Sequence, residues 1–124
     1  MQRNTKQREA IKAVFSGSDR PLSVNEVHEL ATGLVPGLGV ATVYRNIKAL
    51  ADDGWLEVVV MPGEAPRYER GGTDHHHHFH CTGCERVFNL EGCMGRMESL
   101  LPKGFLMESH DLTLTGRCDS CAAK

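Results

Sequence analysis

The sequence predicts an α+β protein: an N-terminal winged helix-turn-helix domain followed by a small α/β domain. Three observations predict it. Amphipathic helical stripes recur through the first 53 residues, a β-rich pattern broken by a turn follows over 55–70, and two Cys-x-x-Cys pairs frame the remainder. The domain boundaries read as 1–70 and 75–124, with Gly71-Gly72-Thr73-Asp74 as a hinge.

Residues 5–16 read as a helix, because Ala10, Ile11, Val14 and Phe15 recur at i, i+3 and i+4. Ser16-Gly17-Ser18-Asp19 ends it, and Pro21 bars continuation. Ser23 followed three residues later by Glu26 is a capping box that starts a second helix, with Val27, Leu30, Ala31 and Leu34 expected inward. Pro36-Gly37-Leu38-Gly39 is a turn. A third helix runs from about Ala41 to Asp53, with Val43, Ile47 and Leu50 facing the core and Thr42, Arg45, Asn46 and Lys48 facing outward. Gly54 stops it. Trp55-Leu56-Glu57-Val58-Val59-Val60, a Pro62-Gly63-Glu64 turn and a return over 66–70 make a hairpin, the wing. Beyond the hinge, 75–80 and 85–90 read as strands around Cys81 and Cys84. A short helix follows over 92–101, and a long strand over 105–116 leads to Cys118 and Cys121.

At 124 residues the chain allows one ordinary domain or two small ones, and a small domain with a thin core gains from a structural metal. The net charge of −2 hides an asymmetry. Residues 1–50 carry seven Lys/Arg against four acids, and residues 51–124 carry seven against twelve. A basic first half suits a polyanion, and an acidic second half suits cations. No apolar run reaches membrane-spanning length and no secretory signal is visible. The chain is therefore expected in a reducing cytoplasm, where thiols remain free for metal.

The metal motifs are the most specific feature. Asp74-His75-His76-His77-His78-Phe79-His80-Cys81-Thr82-Gly83-Cys84 is answered by Cys118-Asp119-Ser120-Cys121. Cys81, Cys84, Cys118 and Cys121 can supply four thiolates to one tetrahedral, closed, structural zinc. Disulfides are the competing reading, and an odd count of five cysteines weighs against them. An expression tag does not suit a histidine run that is internal and broken by Phe79. A solvated, functionless run is the remaining alternative. In a strand, residues i and i+2 share a face about 6.6–6.8 Å apart. His75 and His77 then serve one face, and His76, His78 and His80 the other, so two further sites are expected. Each needs ligands from elsewhere, with His110, Cys93, Glu69, Glu57 and Glu108 as candidates; Cys93 as a buried free thiol is the alternative. His28 reads as a surface or core-edge residue.

For nucleic acid, Ala41-Thr42-Val43-Tyr44-Arg45-Asn46 opens the helix that a helix-turn-helix lays in the major groove. Arg45 can bond a guanine edge or a phosphate, and Tyr44 can meet a phosphate or a thymine methyl. Asn46 and Lys48 are backbone candidates, and Arg8 in the first helix flanks the same DNA. The plain alternative is that Tyr44 covers the core and Arg45 is solvated. An enzyme reading, a zinc-dependent hydrolase, needs three protein ligands, an open water position and a base, and no His-Glu-x-x-His motif is present. Metal storage is a further alternative.

These motifs together resemble the ferric uptake regulator family of bacterial metal-dependent repressors, over nearly the whole chain. The resemblance rests on Ala41-Thr42-Val43-Tyr44-Arg45, the histidine run with Cys81-Thr82-Gly83-Cys84, and the terminal Cys118 and Cys121 pair. It implies a homodimer with a C-terminal dimerisation domain, binding palindromic double-stranded operator DNA when loaded with regulatory metal, and no catalysis, small-molecule substrate or membrane. It implies structural zinc on the four cysteines and a hinge sensor site on Glu69, His76 and His78. It also implies a dimerisation-domain site on His75, His77 and His110, with Cys93 near the position of an acid. Pro21 and Asn89 stand where iron sensors often place a histidine and a carboxylate. Glu57 stands where zinc sensors place an aspartate, while Gly71 replaces their cysteine. The resemblance therefore points to a zinc-responsive repressor of metal-uptake genes. An iron(II)-responsive repressor is the alternative, and a peroxide sensor a weaker one.

Overall fold

In the computed structural model, residues 2–61, 63–72, 76–92 and 97–123 are described. The chain forms two compact units, 1–73 and 74–124. Among the described residues, no helix is long and apolar enough to cross a membrane.

The first unit packs three helices, α1 (Gln2–Ser16), α2 (Val24–Ala31) and α3 (Val40–Asp52), against the antiparallel hairpin of β1 (Leu56–Val59) and β2 (Arg67–Arg70). Its core is Ile11, Phe15, Leu22, Val27, Ala31, Leu38, Val43, Ile47, Leu50, Leu56 and Tyr68. The capping box forms as the sequence predicts. Glu26 N–H donates to Ser23 Oγ at 3.1 Å and Ser23 N–H to Glu26 Oε1 at 3.0 Å, satisfying two amides that a helix start leaves without partners. Arg20 closes on the other Glu26 oxygen at 2.7 Å and lowers the pKa of that carboxyl, against the opposing effect of burial.

The inward face of α2 differs from expectation. Leu30 and Leu34 are 53% and 58% exposed. The helix ends at Ala31; Val27 and Ala31 are its buried residues with Val24 partly buried beside them, and Val35 and Leu38 of the following turn complete the core. Leu34 lies past the last helical turn, where the 3.6-residue period no longer governs direction.

The second unit is a three-stranded sheet ordered β4 (Val87–Leu90), β3 (His77–Cys81), β5 (Thr113–Gly116), followed by a one-turn helix α4 (Asp119–Ala122). β3 runs antiparallel to β4 and parallel to β5. Among its described residues, the buried ones are Cys81 and Val87 as small or apolar groups, beside His77 and His80, so it needs bracing beyond hydrophobic burial. Two expected elements differ from expectation where they are described. The described part of the helix expected over 92–101 is a single 3-10 turn, Met97–Leu100, and Cys93 lies outside the described residues. The strand expected over 105–116 is ordered as β only from Thr113. The register pairs His78 with Thr113, so residues before Leu112 run past the first residue of β3 and, among the described residues, meet no ladder partner there. Phe105 and Leu106 are 66% and 88% exposed.

Candidate metal centres and nucleic-acid interface

Cys81 ends β3, and the tight turn that follows is closed by Glu85 N–H donating to Cys81 O at 2.9 Å. Cys118 caps α4 and Cys121 sits inside it. The four sulfurs lie within 4.8 Å of one another. The Cys118 and Cys84 amides both donate to Cys81 Sγ, at 3.3 and 3.4 Å. These donors favour the thiolate and bring Cys81 down to about 6. Cys121 is pushed up to about 12 by its hydrogen bonds to the sulfurs of Cys81 and Cys118. Four thiolates this close repel one another unless a cation sits among them. The turn is also shaped for the cluster, because a Cβ on Gly83 would lie 2.8 Å from Cys121 Sγ. Donor set and shape fit a tetrahedral zinc.

His76 just precedes β3 and His78 lies in it, and their rings meet edge to face with centroids 4.9 Å apart. On the opposite face, the rings of His77 and His110 lie 5.1 Å apart. Leu112 N–H donates to His77 Nδ1 at 3.1 Å, so the neutral ring carries its proton on Nε2 and has no lone pair there for metal in this arrangement. His75 and Cys93, expected with them, lie outside the described residues. In the wing, the hairpin register sets Glu69, which is buried, directly across from Glu57. Gly71 is closed to any side chain, since a Cβ would lie 2.8 Å from Gly54 O. His80 Nε2 and Glu85 Oε2 pair at 3.0 Å.

On α3, Val43, Ile47 and Leu50 are buried while Tyr44 and Arg45 are exposed, as the periodicity predicts. Arg45 Nη2 donates to Thr42 Oγ1 at 3.1 Å, and Asn46 Nδ2 to Thr42 O at 3.0 Å. Arg8 of α1 donates through Nε to Asn46 Oδ1 at 3.4 Å. The structure thus joins Arg8, Asn46, Thr42 and Arg45 in one chain of hydrogen bonds across two helices. His28 was not expected to matter here, yet its Nε2 lies 2.7 Å from Leu38 O, bracing the turn ahead of α3. A histidine ten residues before a partly buried turn carbonyl gives no sequence signal.

The model of the ferric uptake regulator family matches residues 2–115. The chain belongs to this family. It is similar to the ferric uptake regulation protein of Bordetella parapertussis, 31% identical over 112 residues, covering 87% of this chain and 81% of the relative. Among solved structures it is similar to the Helicobacter pylori ferric uptake regulator (TM-score 0.76, 24% identity, 94% of this chain and 80% of that one), for which three functional metal-binding sites are described. It is also similar to FurB from M. tuberculosis, a zinc uptake regulator (TM-score 0.55, 27% identity, 96% and 95% covered). As a family member, the chain is a metal-dependent transcription regulator and not an enzyme. Ferric uptake regulators bind metals and bind operator DNA as dimers.

Proposed function

We propose that this chain is a zinc-activated repressor that binds palindromic operator DNA as a homodimer and controls metal-uptake genes. The four cysteines hold a structural zinc. A separate regulatory zinc is taken by His76, just before β3, and His78 within it, with Glu69 of the wing as the carboxylate ligand. Asn89 carries the choice of metal. It stands directly across the β3–β4 pair from His78, so a neutral amide occupies the position from which a carboxylate would reach a metal on that ring. Two imidazoles and one carboxylate suit four-coordinate zinc, whereas manganese(II) and comparable six-coordinate ions call for more oxygen donors. The likeness to the M. tuberculosis zinc uptake regulator supports the same metal.

A further zinc on His75, His77, Cys93 and His110 belongs to the same proposal. The 5.1 Å approach of the His77 and His110 rings supports it. The Leu112 amide on His77 Nδ1 must yield, or the ring must turn, before that nitrogen or its neighbour takes a metal. This makes it a weaker site than the thiolate cluster, suited to tuning rather than bracing.

When bound, the regulatory metal supplies a fixed positive charge that gathers its ligands. His76 and His78 hold the sheet side of that site. Arg45 and Tyr44 present the exposed face of α3 to base edges and phosphates, and Arg8 and Asn46 fix how that face is presented. Exposed Leu100, Phe105, Leu106 and Leu114 support a dimer surface in the second unit. In a dimer the two α3 helices must meet half-sites about one helical turn apart, and metal stabilises the arrangement that does so.

Activation by iron(II) is the second reading. The closure of Gly71 favours it, because no thiolate can enter from that position, and the Bordetella relative is a ferric regulator. Operator binding followed by fluorescence anisotropy, titrated with zinc, anaerobic iron(II) and manganese(II), tests both. Zinc should activate at the lowest free-metal concentration. Activation by iron(II) alone would replace zinc with the second reading, and binding indifferent to every metal would remove both.

A further inference from the structure

The start of the linker is fastened to the wing. Gly71 N–H donates to Trp55 O at 3.0 Å and Gly72 N–H to Glu57 Oε1 at 3.3 Å. Gly71 packs so closely that a Cβ would stand 3.3 Å from Glu57 Cγ as well as 2.8 Å from Gly54 O. Gly72 takes φ +78°, the left-handed region where glycine is favoured. The Arg70 guanidinium lies 4.3 Å from the Trp55 ring centre, and Lys12 Nζ lies 5.0 Å from it. Three consecutive residues, Arg70, Gly71 and Gly72, are therefore each tied to the segment from Trp55 to Glu57.

We propose that Glu57 is a positioning residue whose carboxylate straps the linker to the wing and so sets how strongly regulatory metal activates DNA binding. The inference rests on the reading of this chain as a metal-activated regulator. A linker held at Gly72 has fewer orientations for the metal to select among, so more of the metal's binding free energy appears as activation. The strap oxygen is an acceptor from an amide, which is a different role from that of a metal ligand. Glu57 also stands across from Glu69 in the hairpin, so the strap lies on the same strand pair as the proposed carboxylate ligand.

Glu57→Gln keeps an oxygen that can accept from Gly72 N–H and removes the charge. Glu57→Ala removes the acceptor. In the full-length protein, amide hydrogen exchange at Gly72, zinc content, and operator affinity with and without zinc are compared for the two variants. Exchange at Gly72 should rise roughly three- to tenfold in Glu57→Ala, the scale of one lost hydrogen bond, and stay near wild type in Glu57→Gln. Both variants should keep the wild-type metal content. Metal activation of operator binding should fall by a similar factor in Glu57→Ala and persist in Glu57→Gln. Loss of one zinc per chain in both variants would make Glu57 a ligand and overturn the strap. So would unchanged Gly72 exchange in Glu57→Ala, unchanged activation beside faster exchange, or a Glu57→Gln variant that behaves like Glu57→Ala. A wild-type protein indifferent to metal would instead overturn the functional reading, while the exchange comparison at Gly72 still tests the strap.

Discussion

Gly83 and Cys121 are in closer contact than a side chain would allow: a methyl at Gly83 would sit 2.8 Å from the Cys121 sulfur and 2.9 Å from its Cβ. Real Cβ atoms do not approach that closely, so the thiolate cluster is built around the absence of a side chain in the turn. Gly83→Ala should displace Cys121 or the turn, an overpacking cost of about 1–3 kcal/mol. Because metal and folding are coupled, the variant should bind its structural zinc more weakly and melt earlier. Cys81→Ser and Cys118→Ser should go further and lose the second unit or the dimer. Zinc content against a graded chelator, with melting curves, measures this series. A Gly83→Ala protein as resistant to chelation as wild type would mean that the turn does not shape the site.

The Arg8–Asn46–Thr42–Arg45 chain predicts non-additive effects on operator binding. Arg45→Ala should cost about 1–3 kcal/mol, at one base position if Arg45 reads a guanine, or uniformly with a reduced salt slope if it holds phosphate. Asn46→Ala releases Arg8 as well as itself. The double variant Arg8→Ala with Asn46→Ala should therefore be weaker than wild type by less than the sum of the single losses, with a coupling of about 0.5–1.5 kcal/mol. Strict additivity at low salt would show that the 3.4 Å bond between them does not organise the DNA face.

His28 supplies a test on stability alone. Its Nε2 contact with Leu38 O at 2.7 Å is partly buried, and Leu38 itself is in the core. His28→Ala should cost about 0.5–1.5 kcal/mol, read as a lower melting temperature with metal content unchanged. His28→Leu should not restore it, since the carbonyl stays unmatched. Equal stability of both variants with wild type would assign the contact no weight.

Much of this was legible because it is local. The Ser23–Glu26 box is a three-residue pattern, the Val43–Ile47–Leu50 stripe follows the helix period, and two-residue spacers bring Cys81 to Cys84 and Cys118 to Cys121. What the sequence hid depends on partners distant in the chain. Leu30 and Leu34 satisfy a helical stripe, but Leu30 lies on the exposed side of α2 and the helix stops at Ala31, before Leu34. Residues 105–112 look like a strand, but the register that pairs His78 with Thr113 carries them beyond the end of β3. Gly71-Gly72 reads as a free hinge, yet Trp55 and Glu57 hold it through hydrogen bonds that only the hairpin register creates. The same register puts Asn89 opposite His78, a relation that spacing along one strand cannot reveal.

The paired rings of His76 and His78 carry the last prediction. Their centroids are 4.9 Å apart on one side of β3, and neither residue belongs to the thiolate cluster. His76→Ala or His78→Ala should thus leave the structural zinc, the melting of the second unit and the dimer intact. Each removes one of the three proposed ligands of the regulatory metal. Losing a ligand from a three-ligand site should raise the zinc concentration needed for operator binding by roughly ten- to a hundredfold or more, since even outer-shell losses reach that range. Asn89→Asp should act in the opposite sense for harder ions. A carboxylate opposite His78 adds an oxygen donor, so activation by iron(II) or manganese(II) should improve relative to zinc. The measurement is the midpoint of metal-activated operator binding for each metal and variant, at fixed salt. Midpoints unmoved by both histidine changes would remove this pair from the switch, and an Asn89→Asp protein with unaltered metal preference would detach Asn89 from the choice of metal.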